Sequence, residues 1–197
     1  MIVDFTSVDA ETHKVIDIAS HYSVDDLRAA TNESVNRILG YLQGLTNEDV
    51  TFDPIDSLAD DPLAVEGEER IGWSLAHLIV HATASSEEGA AVASILARGI
   101  PFQGRLRYET LWNTVTTVAQ CIERLEESRR MRLGALDMFP DMPFQDVCRT
   151  ISEGFTAKFG MMNANATFLF GLHHEVGHYA QFEDVLSQAL RAREIVG

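Results

Sequence analysis

The chain is expected to be all-α, most simply a four-helix bundle, on three observations. Four long stretches carry apolar residues at helical spacing, none alternates apolar and polar residues as a half-buried strand would, and capping and stop residues bracket the helical stretches. Amphipathic helices without a sheet to pack on bury their stripes against one another. The 197 residues suffice for one domain with a substantial core, read as residues 1–197 with an N-terminal extension at about 1–22.

Ser23 is the candidate N-cap of the first helix, with Asp25 and Asp26 in the first turn, where acidic groups suit the helix dipole. Leu27, Val35, Ile38, Leu39 and Leu42 then recur at helical spacing until Gly44. The second helix is expected from about Trp73 to Arg98, rich in Ala, Leu and Ile, stopping at Gly99 with Pro101 beyond it. The third is expected from about Tyr108 to Leu133, ending at Gly134, and the fourth as one helix from about Asn163 to Ile195. Residues 46–70, acidic and carrying Pro54 and Pro62, read as an exposed irregular loop. Residues 137–160, with Pro140 and Pro143, read as a second irregular connection holding one short helix near Phe144 to Ser152.

Fifteen Lys and Arg against 30 Asp and Glu give a formal net charge of -15. Phosphate backbones and anionic lipid headgroups are repelled by such a chain, so neither nucleic acid nor a membrane surface is an expected partner. The clusters Arg105, Arg107 and Arg129, Arg130, Arg132 are too small to reverse this. No apolar run reaches the length of a membrane span, and the start Met1-Ile2-Val3-Asp4-Phe5 lacks the basic and apolar regions of a signal peptide, so a cytoplasmic location is expected. Cys121 and Cys148 are too few and too far apart to suggest a metal pair, and read as small buried hydrophobes.

His174 and His178 lie one helical turn apart and project from one face, and His77 and His81 repeat the spacing in an apolar stretch. Those pairs hold four of the seven histidines. Phe170, His174, His178, Gln181 and Val185 fall within a sector of roughly 80° on a helix, so the imidazoles share the core-directed face. Buried imidazoles are costly unless each ring nitrogen finds a partner, and a shared metal ion supplies one. Three histidines without a thiolate leave a coordination position open, the catalytic pattern, and such an ion lowers the pKa of a bound water or thiol. Zinc or nickel suits imidazole best, with iron or manganese also compatible. Glu88 is a further candidate carboxylate on the second helix, against a plain surface role. His173 falls off the stripe, and His13 and His21 show no spacing.

His174-Glu175-Val176-Gly177-His178 also fits the HExxH pattern of zinc peptidases, in which Glu175 would be the general base. The metzincin continuation is absent, since Gln181 and Asp184 stand where Gly and His are required, and Glu183 and Glu194 lie too close along one helix to be a distant third ligand. No strand is available to present a peptide.

Trp73-Ser74 opening the second helix with His81 eight residues after the Trp, and His174, His178 and Gln181 in the last helix, resemble the DinB-like superfamily. That superfamily includes YfiT-type metal-dependent hydrolases and bacillithiol- and mycothiol-dependent transferases. The resemblance implies a four-helix bundle with one divalent metal ion on His81, His174 and His178. It places His77 and Gln181 behind the ligands, His77 alternatively facing substrate. It also implies a small-molecule substrate, a low-molecular-weight thiol among the candidates, with thiol transfer or hydrolysis as the reaction and a homodimer among the assemblies. Glu175, about 100° off the ligand stripe, is a weak candidate catalytic residue that could orient a ligand or accept a proton, against a solvent-facing role. Tyr108 and Trp112 are expected to border the pocket or anchor the core. A metal-stabilised binding or stress-response module without turnover is the alternative, and a deep, partly polar pocket above the metal distinguishes the enzyme from it.

Overall fold

A computed structural model describes residues 3–56, 59, 66–67 and 69–196. The helices are α1 (Thr6–Asp9), α2 (Val15–Ala19), α3 (Val24–Tyr41), α4 (Asn47–Val50), α5 (Leu75–Ala97), α6 (Val118–Asp137), α7 (Glu153–Phe159), α8 (Ala164–Gly177) and α9 (Tyr179–Val196). Among the described residues the only β pairing is an isolated parallel bridge between Gln103 and Thr150. Among the described residues no helix is long and apolar enough to cross a membrane.

The chain is all-α as expected, and its long helices close a ring: α5 packs on α8 and α6, and α3 packs on α6 and α8. Ser23 caps α3 by accepting from Asp26 N while the Asp26 carboxylate takes the N–H of Ser23, a reciprocal capping box. α5 is buried around most of its circumference, which its Ala- and Ser-rich sequence permits, and Gly99 closes it at φ +81°.

Several boundaries differ from those expected. The third helix starts at Val118, because Thr117 accepts from Gln120 N and Gln120 returns its side chain to the cap. Tyr108 therefore lies in a loop, 78 % exposed, and Trp112 opens a short 3-10 turn. Gly134, with no atom near its missing Cβ, is tolerated inside α6, which runs on to Asp137. The short helix expected near Phe144 to Ser152 instead forms after it, with Ser152 capping α7. The fourth helix divides at His178, whose N–H bonds to Glu175 O three residues back, so that α8 and α9 meet in a tightened turn. Thr46 caps the single-turn α4 inside the expected loop at 46–70, of which residues 57–58, 60–65 and 68 lie outside the described ones.

The expected N-terminal extension is part of the core. Val3, Phe5, Val8, Val15 and Ala19 are buried in one apolar cluster with Leu27, Leu136, Phe168 and Leu169. A second cluster gathers Val35, Ile38, Leu75, Leu78, Leu125 and Phe182 toward the other end of the bundle. Buried polar groups come from four of the long helices: Thr31 and Ser34 from α3, Ser86 from α5, Ser128 and Arg132 from α6, and Glu175 from α8.

Candidate metal centre

Two N-caps set the ligand-bearing helices. Ser74 accepts from His77 N at 3.2 Å and starts α5 so that His77 and His81 occupy one face of its first turns. Asn163 accepts from Ala166 N at 3.0 Å and starts α8, which delivers His174. α5 and α8 run antiparallel, and the imidazole of His81 meets those of His174 and His178 with ring centroids 5.0 and 5.1 Å apart. His174 and His178 are 4.8 Å apart by the same measure. One candidate ligand atom from each ring lies within 4.8 Å of the other two, and this is the triad named from the sequence resemblance.

Two of the three rings have neighbours at Nδ1. His178 Nδ1 is 2.9 Å from Gln181 Oε1, and Gln181 Nε2 in turn donates to Asp56 at 3.4 Å. His81 Nδ1 lies 3.4 Å from Glu109 Oε1 and 3.3 Å from Arg107 Nη2. The Gln181 oxygen at His178 Nδ1 favours the tautomer protonated there and leaves Nε2 of that ring as a donor to a metal. His174 Nδ1 is buried with no hydrogen-bond partner. Burial, then the neighbouring His178 and His81, lowers the His174 pKa to about 3, and burial also lowers that of His178. Three imidazoles whose ligand atoms lie this close, with burial disfavouring the charged form of two of them, are a donor set that fits a divalent ion.

Arg107 and Glu109 were not recognised from the sequence. Assigning Tyr108 onward to a helix hid the alternation Arg105-Leu106-Arg107-Tyr108-Glu109, an extended segment that turns Arg107 and Glu109 inward and leaves Leu106 and Tyr108 exposed. Arg107 bonds to Ser85 and to Glu109, and donates to His81 O at 3.1 Å. Burial alone would raise the Glu109 pKa, yet hydrogen bonds from His81 and Arg107 outweigh it and hold the carboxyl down at about 2.

His77 does not join the triad. It is sandwiched between Trp73 and Trp112, with centroids 4.8 and 5.0 Å away, and Trp73 also lies 4.4 Å from the His81 ring. Glu88 is committed to Arg105 and Arg149 rather than being a surface acid or a fourth ligand. His173 bonds to Asp9 at 2.7 Å.

Glu175 is neither solvent-facing nor directed at the triad. It is 0 % exposed and paired with Arg132, itself 1 % exposed, and it accepts from Ser34 and Ser86. A carboxylate so enclosed is not placed to be the general base of an HExxH peptidase, and the described residues contain no strand to present a peptide.

His81 and His174 open onto a cavity of about 1310 Å³, bordered by Trp112, Glu109, Arg107 and Phe170 among others. The sequence profile of the DinB superfamily matches residues 31–182, a span that includes the whole triad. No curated protein and no solved structure matches the chain.

Proposed function

The chain belongs to the DinB superfamily, and on that premise we propose that it is a metal-dependent enzyme acting on a small molecule, a thiol S-transferase or a hydrolase. His81, His174 and His178 would hold one divalent ion, with zinc or nickel the best match for three imidazoles. When bound, the ion supplies a Lewis acid that makes a thiol or water acidic enough to ionise near neutral pH. The chain's own groups do the rest. Gln181 and Glu109 fix the His178 and His81 rings, Arg107 ties Glu109 to α5, and the Trp73–His77–Trp112 stack excludes water from one side.

The observation that carries this reading is the cavity. A sealed histidine cluster would serve structure alone, whereas this one opens onto a space large enough for a substrate. A low-molecular-weight thiol and an electrophilic acceptor are the reactants that an open three-histidine site suits. Nucleic acid is not proposed as a partner, given the net charge of -15.

Elemental analysis of the purified protein tests the site. About one ion per chain is expected for a three-histidine centre. His174→Ala and His178→Ala should each remove most of it, and His77→Ala should retain it. Full occupancy in both of the first two variants would refute the assignment. A screen of low-molecular-weight thiols with electrophiles, run with the metal-loaded protein, then tests turnover.

A further inference from the structure

Two arginines share one carboxylate in the cavity wall. Glu88, 7 % exposed, accepts from Arg105 Nη2 on Oε2 at 3.0 Å and from Arg149 Nη2 on Oε1 at 2.9 Å. Its Oε1 also takes the backbone N–H of Leu106 at 3.1 Å, and Arg149 donates to Gly104 O at 2.6 Å. The third guanidinium in the lining, Arg107, is matched by Glu109. Three guanidiniums less two carboxylates leave one positive charge in the lining, while the chain as a whole carries -15.

That surplus sits on the Arg105–Glu88–Arg149 group, where two cations face one anion. The Arg105 side chain is 61 % exposed and that of Arg149 16 %, so both guanidiniums keep surface toward the cavity they line. Guanidinium donors match a planar carboxylate in a two-point geometry. The chain leaving Arg149 supplies an apolar wall to the same cavity with Ile151 and Phe155. The Phe155 ring packs edge-on against Phe170 at 4.8 Å, and Phe170 lies one helical turn before His174.

We infer that the cavity binds a monoanionic amphipathic molecule, its carboxylate on Arg105 and Arg149 and its apolar body along Phe155 and Phe170 toward the histidines. In the metal-free protein the single surplus charge of the lining matches one carboxylate. The inference rests on the proposed function in naming the ligand of the same cavity. The binding step itself needs no metal, so it is tested in metal-free protein, where failure of the metal assignment has no effect.

Trp73 and Trp112 are the only tryptophans in the chain, and both stand at the site, so intrinsic fluorescence reports occupancy. Chelator-treated protein is titrated with 4-phenylbutyrate and with its neutral amide. The acid should bind at least about tenfold tighter, a typical gain for charge-assisted hydrogen bonds. The preference should shrink as salt is raised. Arg105→Gln removes an exposed guanidinium and leaves Glu88 its bonds to Arg149 and Leu106, so it should abolish the preference for the acid. The wild-type comparison decides the charge requirement whether or not the variant folds. Equal affinity for acid and amide, binding of neither, or a preference that survives intact in Arg105→Gln would overturn the inference.

Discussion

Gly89 and Gly171 meet at the crossing of α5 and α8, so closely that a Cβ built on Gly171 would lie 3.4 Å from Gly89 Cα and 2.8 Å from the carbonyl oxygen of Ser85. The missing side chains let the two backbones touch, and that contact lies beside the segments that carry His81 and His174. Helix approach and ligand approach are thus set by the same pair of residues.

Gly171→Ala should therefore destabilise the fold and weaken metal binding together. The added methyl meets backbone, which cannot swing aside, and overpacking of this kind costs about 1–3 kcal/mol against a helix-propensity gain of about 0.5–1 kcal/mol. Gly134→Ala is the control: it is exposed on α6 with nothing within 4 Å, and it should stabilise slightly. Chemical denaturation of both variants, with metal content measured alongside, checks the pair. A neutral or stabilising Gly171→Ala would contradict the close-packing account.

The buried pair Glu175–Arg132 joins α8 to α6 at the polar level between the two apolar clusters. Removing one partner strands a charge in the core, so Glu175→Ala should cost about 3–5 kcal/mol in denaturant melts. Glu175→Gln keeps hydrogen bonding to Ser34 and Ser86 but not the charge, and should lose less. A zinc peptidase would behave oppositely, with Glu175→Gln stable, metal-bound and devoid of a peptidase activity that the wild type possesses. Metal-dependent proteolysis by the wild type that vanishes in Glu175→Gln would restore the peptidase reading.

These two contacts mark the limit of what the sequence disclosed. The helical class, the cap Ser23 and the i, i+4 histidine pairs are local patterns, legible because spacing along one helix determines which residues share a face. Choosing His81 over His77 required the family resemblance, because both lie on the same stripe. Glu175 was misplaced for a different reason: the angle off the ligand stripe says where a side chain points, not that another helix waits there with Arg132. Arg107 and Glu109 reach the site from a loop, where periodicity offers little guidance. The apolar residues near the start, Val3, Phe5 and Val8, gave no sign by themselves that their burial lies against α8 and its neighbours.

Acid should destabilise the metal-free protein in two stages. His174 ionises at about 3 in the fold against 6.5 when unfolded, because burial disfavours its charged form. Between those values the unfolded chain holds a proton that the folded chain lacks, so stability falls as pH drops from 6.5, by at most about 1.4 kcal/mol per pH unit per histidine. His178 shifts in the same direction. Glu109, at about 2 against 4.5, joins below pH 4.5, where the unfolded carboxyl takes up a proton and the folded one does not. Melting temperatures recorded from pH 7.5 to 4 should fall with this profile, and His174→Gln should flatten the upper stage. An unchanged slope in His174→Gln would mean that its imidazole is not held neutral by burial.

Glu109 and Gln181 should tune metal affinity without being ligands. Each places an oxygen near the Nδ1 of a different triad histidine, at 3.4 and 2.9 Å, and so helps to orient that ring. Losing such a partner frees the ring to rotate and removes support for the required tautomer, which typically costs 10–100-fold in affinity. Competition with a chromophoric chelator should show that loss in Glu109→Ala and Gln181→Ala, with full occupancy recovered at saturating metal. Glu109→Gln, which keeps an oxygen for the ring but loses the charge that faces Arg107, should fall between Glu109→Ala and the wild type. His173→Ala, whose imidazole bonds to Asp9 away from the triad, should bind metal normally. Stoichiometric loss of the ion in Glu109→Ala, not recovered by excess metal, would instead make the carboxylate a ligand, and unchanged affinity in both alanine variants would remove it and Gln181 from the centre.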